Sequence, residues 1–193
     1  KLSFMNIGVN DDENSQSKTG IGWRPVREWA VVLICALLAA FVLRAVVVQT
    51  YFIPSNSMAP TLEVGDRLMV YKLAFRIGQV DRGDLVVFNR PAALRQSELK
   101  DFVKRVVALP GEEIQAINGA VYIDNVPLAE SYLPQNSFTM DFGPTLIPNN
   151  HVFVMGDNRA NSRDSRSFGP IDVELLVGEV FVRIWPLNNV GRP

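Results

Sequence analysis

Three short stretches of the chain hold residue types that could form a hydrolytic site. Residues 55–62 (SNSMAPTL) carry Ser55 and Ser57, and residues 101–111 (DFVKRVVALPG) carry Lys104 beside Arg105. Residues 156–169 (GDNRANSRDSRSFG) gather Ser, Asp, Asn and Arg between glycines. Singly, each has a plain structural reading. A Ser- and Pro-containing turn is common, a Lys-Arg pair in a strand is usually a solvated face, and the third stretch could be a loop held by Asx turns and an Arg-Asp pair. The chain has one histidine, His151, and one cysteine, Cys35, in 193 residues. A Ser-His-Asp arrangement must therefore use His151 or not exist. Any serine nucleophile elsewhere needs another base.

Lysine can be that base only when it is neutral. Its ordinary pKa is about 10.4, and burial lowers it by up to roughly 3–5 units. If residues 102–108 form a strand, Lys104 shares a face with Phe102, Val106 and Ala108, while Val103, Arg105 and Val107 share the other. The amine is then flanked by Phe102 and Val106, an apolar setting that disfavours its charge. No zinc-type ligand set accompanies the single His and single Cys, and no internal disulfide can form. Neither a metal nor a cofactor is expected. The formal net charge of −1 gives no reason to expect a nucleic acid partner.

These stretches need elements to position them. Residues 29–43 are an uncharged apolar run, which resumes past Arg44 to residue 48. Counted through Arg44 it has about the length that spans a ~30 Å hydrocarbon core, and Arg44 lies near enough to the end to snorkel. A cleaved signal peptide has a shorter apolar stretch of roughly 7–15 residues, and a buried core helix would show a polar stripe. Lys18, Arg24 and Arg27 precede the run closely, whereas the next basic residue beyond Arg44 is Arg67. The positive-inside rule then puts the tail in the cytoplasm and the rest outside. The expected organisation is a flexible cytoplasmic tail at 1–27, a single transmembrane anchor helix at 28–49, and an extracytoplasmic domain at 50–193.

After residue 50 the pattern is of strands. Residues 67–71, 85–88, 102–108, 120–123, 151–155 and 179–185 are rich in β-branched or aromatic residues and are separated by Gly, Pro, Asn and Asp. Asn118-Gly119 is a strong two-residue hairpin signal and Asp124-Asn125 a weaker one. The expected fold class is mainly β, with antiparallel sheets folded over into a partial barrel behind one N-terminal transmembrane helix.

Taken together, residues 54–62 (PSNSMAPTL), 65–72 (GDRLMVYK), 82–88 (RGDLVVF), 104–111 (KRVVALPG) and 156–169 resemble, in order and spacing, the signature boxes of the type I signal peptidases. These are membrane-bound Ser–Lys endopeptidases that remove signal peptides from exported preproteins, and the resemblance covers most of the chain from Trp29 onward. It implies that Ser57 is the nucleophile and Lys104 the general base that takes its proton. It implies an oxyanion hole made by the Ser55 hydroxyl and the Ser57 backbone N–H, where one lost donor typically costs ~10²–10³ in rate. Ser162 matches the serine that orients the lysine amine. Asp164 and Arg166 match a pair that braces the loop, and Gly156, Asp157 and Asn158 match residues that shape its turn.

Ile53, Pro54, Met58, Leu62, Phe102 and Val103 fall where the family lines shallow pockets for small residues of an A-x-A-like site. The substrate would add as a strand beside residues 101–103, from Asp101 to Val103. The implied partners are secretory preproteins and the lipid bilayer, with no obligate partner subunit. The implied location is a membrane, a plasma membrane by default and a thylakoid as the alternative. His151 reads as a strand residue and Cys35 as filler in the apolar span.

Two other readings compete. A self-cleaving repressor with the same dyad would need an N-terminal helix-turn-helix, where this chain has an apolar span. A non-catalytic membrane-tethered β module would be expected to have lost the serine or the lysine, and both are present.

Overall fold

The computed structural model describes residues 23–193, so most of the expected tail lies outside the described residues. The chain divides into two units, Lys1–Phe41 and Val42–Pro193. Helix α1 runs from Trp23 to Val47. From residue 26 to 42 all its side chains are exposed, Trp29, Leu33 and Phe41 among them. Among the described residues no helix is long and apolar enough to cross a membrane.

The helix also departs from the expected 28–49 boundaries. It begins at Trp23, inside the expected tail, and it stops at Val47, because the next residues are taken by a backbone ladder. Strand β1 (Val48–Phe52) pairs antiparallel with β2 (Arg67–Tyr71), with Val48 opposite Tyr71 and Phe52 opposite Arg67. The β-branched and aromatic residues of VQTYF suit this ladder, and the apolar run thus continues through a change of structure.

The second unit is mainly β, as expected. Its further strands are β3 (Leu85–Asn89), β4 (Asp101–Ala108), β5 (Glu113–Ile117), β6 (Ala120–Ile123), β7 (Val126–Pro127), β8 (Phe142–Leu146), β9 (His151–Met155), β10 (Ile171–Asp172) and β11 (Leu176–Trp185). Among the described residues they form a seven-stranded sheet ordered β1-β2-β11-β3-β4-β9-β10 and a four-stranded sheet ordered β7-β6-β5-β8. The pairings are antiparallel.

Strand β3 explains its own unbroken apolar run. Leu85 and Val87 pack into a cluster with Ile53, Met58, Leu62, Leu68, Val70 and Val180, whereas Val86 and Phe88 pack into a second with Val106, Val152, Val154 and Ile171. A strand covered on both faces needs apolar residues at every position rather than at alternate ones.

Both hairpin signals hold. Asn118 and Gly119 join β5 to β6 with φ of 52° and 86°, and Asp124 and Asn125 join β6 to β7 with φ of 49° and 66°. Positive φ at both central residues is what a tight hairpin of this hand requires. Strands β1, β5, β7, β8 and β10 were not expected. Several are short or weakly apolar, and their partners rather than their own composition hold them extended.

Candidate active site

The Ser57 turn is held by its flanks. Ile53, Met58 and Leu62 are buried in one cluster. Backbone bonds run from Ile53 N to Asp66 O (3.0 Å), Gly65 N to Ile53 O (3.0 Å), Ala59 N to Asn56 O (3.1 Å) and Leu62 N to Met58 O (3.0 Å). Apolar anchors on either side of Ser57 leave its hydroxyl half-buried at the rim. The turn is also fastened from across the molecule. Asn158 N donates to Ser57 O (3.1 Å), Asn158 Nδ2 to Asn56 O (3.0 Å) and Asn161 Nδ2 to Asn56 Oδ1 (3.2 Å).

Lys104 rises from the middle of β4 and is only 3% exposed. Its Nζ lies 2.6 Å from Ser57 Oγ and 3.0 Å from Val103 O. Burial lowers its pKa from the ordinary 10.5 to about 8; the Asp164 and Asp157 carboxylates oppose the drop, and Arg166 adds to it. Losing water costs the charged amine more than two nearby carboxylates return. The expected alternation holds along most of the strand. Phe102 and Val106 pack against one cluster, and Val103 against another. It fails at Ala108. A bulge between Val106 and Ala108 puts Val107 and Ala108 into the same third cluster, so Ala108 does not share the Lys104 face.

The loop after β9 is built from two ion pairs whose carboxylates are buried. Arg105 clamps Asp157 with Nε on Oδ1 (3.0 Å) and Nη2 on Oδ2 (2.7 Å), and Thr61 Oγ1 adds a bond to Oδ2 (2.6 Å). Arg166 clamps Asp164 through Nε (2.8 Å) and Nη2 (2.8 Å), while Gly156 N donates to the same carboxylate (2.9 Å). Burial pushes the Asp164 carboxyl up, but the bonds from Arg166 and Gly156 outweigh it and hold it below the ordinary carboxylate range. Asp164 also caps the short helix α2 (Ser165–Phe168) by accepting from Arg166 N.

Gly156 permits the closest approach in the site. A Cβ there would lie 2.2 Å from Ser162 Oγ and 2.4 Å from Ser57 O. Ser162 is thus brought to the dyad region, but Lys104 Nζ bonds Ser57 and Val103 O rather than Ser162. Among the described residues the buried Ser162 hydroxyl has no partner of proper hydrogen-bond geometry, though it lies near enough to Asp164 to favour that carboxylate's charge.

A shallow cleft of about 40 Å³ opens beside the serine and lysine. Ile53, Pro54, Ser55, Met58, Leu99, Asp101, Phe102 and Val103 line it. Leu62 does not; it is fully buried in the core beneath. Ser55 Oγ stands 3.4 Å from Ser57 Oγ, at the limit of a hydrogen bond.

Sequence reasoning missed several supporting residues. Strand period puts Arg105 on the face opposite Lys104 and names no partner for it, yet a charge on a strand buried on both faces signals a buried partner, and that partner is Asp157. The Arg105 guanidinium also lies 4.1 Å over the Tyr132 ring. Arg159 is buried too, bonding Glu130, Thr139 Oγ1 (2.8 Å) and Gly156 O (3.2 Å). Glu130 and Thr139 are far from it in sequence, and no local signal joins them. Among the described residues no cluster of side chains is suited to a metal.

The chain is similar to several known proteins. The model of the family described as signal peptidase, peptidase S26 matches residues 26–185. A probable signal peptidase I-2 of Synechocystis sp. is 38% identical over 165 residues, covering 85% of this chain and 75% of that one. Signal peptidase I T of Bacillus subtilis is 35% identical over 194 residues, covering 95% of this chain and 96% of that one. The chloroplastic thylakoidal processing peptidase 1 of Arabidopsis thaliana is 31% identical, covering 94% of this chain and 57% of that one. A crystal structure of a signal peptidase I from Enterococcus faecalis aligns with a TM-score of 0.46 at 30% identity, covering 54% of this chain and 98% of that one. The chain belongs to the signal peptidase family, peptidase S26.

Proposed function

We propose that this chain is a membrane-bound serine endopeptidase that cleaves N-terminal signal peptides from exported preproteins after A-x-A-like sites. The observation that carries the reading is a buried lysine, with its pKa lowered to about 8, standing 2.6 Å from a serine hydroxyl at the edge of an open cleft.

Neutral Lys104 takes the Ser57 proton as Oγ attacks the scissile carbonyl. The resulting oxyanion is received by the Ser57 backbone N–H and the Ser55 hydroxyl. Among the described residues that N–H donates to no protein acceptor, which leaves it free for this task. The protonated amine then gives its proton to the leaving nitrogen, and the peptide bond breaks to leave an acyl group on Ser57. Lys104, neutral again, activates a water that hydrolyses the ester. Asp157, Asn158, Asp164 and Arg166 hold the loop that fastens the serine turn, and Gly156 and Ser162 fill the space behind it.

The strand pairing supports an extended substrate. Residues 101–103 of β4 pair with β3 on one side, whereas β9 joins the other side only from Arg105 onward. That leaves an edge beside the cleft to which a signal-peptide end can add as a strand. The shallow apolar wall admits alanine and excludes larger side chains.

The topology is single-pass, with the tail cytoplasmic and the peptidase unit outside. It is supported by the apolar run at 29–48 and by the basic residues before it. A shared bilayer would hold substrate and enzyme at high effective concentration. The host is a plasma membrane, or a thylakoid like that of the Arabidopsis relative.

The test is incubation of the full chain in detergent with a preprotein whose signal peptide ends in A-x-A. Ser57→Ala and Lys104→Met are each expected to leave the precursor intact. Cleavage at the wild-type rate by either variant refutes the assignment.

A further inference from the structure

Another buried ion pair stands behind the Ser57 turn. Arg183, near the end of β11, is 8% exposed, and its Nη1 lies 3.1 Å from Oδ2 of the buried Asp66. Plain strand alternation would turn this arginine away. Val180 packs in the cluster beneath the turn, and a residue three positions on belongs to the opposite face. A bulge between Val180 and Val182 corrects the count. Val180 stands opposite Val70 and Arg183 opposite Leu68, and both of those partners belong to the same cluster, so Arg183 faces it too.

There the guanidinium meets the loop that carries the nucleophile at two points. Nη1 donates to Thr61 O (2.9 Å) as well as to Asp66. Asp66 closes the base of that loop: its O accepts from Ile53 N (3.0 Å), and its Oδ2 also accepts from Glu63 N (3.0 Å). The Thr61 hydroxyl bonds Asp157 (2.6 Å), whose neighbour Asn158 donates its N–H to Ser57 O (3.1 Å). The arginine is held in turn from behind. Its Nε donates to Asn189 O (2.7 Å), and its backbone exchanges two bonds with Gly191 (2.8 and 3.1 Å), which fold residues 186–191 back onto β11.

We propose that Arg183 is a positioning residue for the nucleophile, fixing the 53–66 loop so that Ser57 Oγ stays within reach of Lys104 Nζ. The inference rests on the endopeptidase reading of those two residues. Arg183 lines no part of the cleft and bonds neither member of the dyad, so it acts only through Thr61 and Asp66. Proton transfer needs both atoms at hydrogen-bond distance, and a displacement of about 1 Å costs on the order of 10²-fold in rate. Without the guanidinium, Thr61 O loses this donor and the Asp66 carboxylate is left buried without its cation, so the loop shifts to wet it.

The test uses the full chain in detergent with the A-x-A preprotein. Arg183→Met is expected to lower kcat about 10²-fold while the midpoint of the pH profile stays near 8, because neither Arg183 nor Asp66 is among the charges that move the Lys104 pKa. Arg183→Met combined with Asp66→Asn removes both charges and keeps an acceptor for Glu63 N. Its thermal stability is expected to return toward the wild type while kcat stays low, since Thr61 O is still untied. If the single variant does not fold, the double variant carries the test. Arg192→Met, which breaks the exposed Arg192–Glu179 pair (3.6 Å), keeps the wild-type kcat. The proposal is overturned if Arg183→Met keeps the wild-type kcat, or if the double variant regains kcat together with stability, as a purely structural role would. It is also overturned if the midpoint climbs toward 10.5, the mark of a loosened interior that wets the amine. If the wild type leaves the preprotein intact, or Ser57→Ala cleaves it at the wild-type rate, the endopeptidase reading itself fails and takes this inference with it.

Discussion

Replacing Lys104 by methionine is expected to end peptide cleavage and at the same time to remove a pH-dependent burden on the fold. A lysine whose pKa falls from 10.5 unfolded to about 8 folded binds protons less readily in the native state. Between those two values the unfolded chain therefore holds more protons, and stability must rise with pH through that window. Below pH 8 the full penalty applies, about 3 kcal/mol for a drop of this size, and above 10.5 it vanishes. The lysine is 3% exposed, so solvent screening takes little from this figure.

Methionine has nearly the same length and no charge, but it forfeits the bonds to Ser57 Oγ and Val103 O, a loss of about 1 kcal/mol each. The absolute gain at pH 7 is accordingly small. The difference in pH dependence is the sharper quantity. Urea unfolding of the full chain in detergent at pH 7 and at pH 10 is expected to show the wild type gaining about 2–3 kcal/mol relative to Lys104→Met. Comparison with the variant cancels the tyrosines and other lysines that titrate in the same range. Parallel curves for the two proteins would mean that the native amine is not desolvated, and the argument for a neutral lysine base would fall.

Three further outcomes follow from the same geometry. The kcat/KM of the wild type is expected to rise about tenfold per pH unit below a midpoint near 8 and then level off, and Asp164→Asn, which removes a carboxylate that favours the charged amine, moves that midpoint to lower pH. A midpoint near 6.5, insensitive to Asp164→Asn, would point to histidine instead. Gly156→Ala is expected to cost ~10²-fold or more in kcat with secondary structure retained by circular dichroism, because its methyl must push against the Ser57 carbonyl and so displace the nucleophile. Asp157→Ala strands the Arg105 guanidinium in the interior and is expected to destabilise by roughly 3–5 kcal/mol, whereas Arg105→Met with Asp157→Leu recovers much of that loss in thermal unfolding.

Local chemistry made much of the protein legible. The Asn118-Gly119 turn, the unbroken apolar run of β3 and the alternation along the first part of β4 follow from backbone geometry and side-chain period, which act over a few residues. The scarcity of histidine directed attention to lysine, and the boxes from 54–62 to 156–169 indicated the family. Those same local rules mark the limit. The run at 29–48 read as one apolar element, yet its last residue, Val48, opens a strand because β2 offers it a ladder. Leu62 matched a pocket position but turned inward, because the Ser57 turn needs an anchor on each side. The bulge after Val106 reversed the expected face of Ala108.

What only the tertiary structure decided is how far the lysine is stripped of water and what stands around it. Arg105 meets Asp157 fifty-two positions away, and Arg159 meets Glu130 twenty-nine positions away. Sequence spacing carries no sign of such pairs. The distance from Nζ to Oγ depends on two elements forty-seven residues apart being held by packing and by buried charge pairs whose partners lie outside both. Residue types and periods determined which groups were on offer. Desolvation and long-range pairing, which are properties of the assembled interior, determined their charge and their reach.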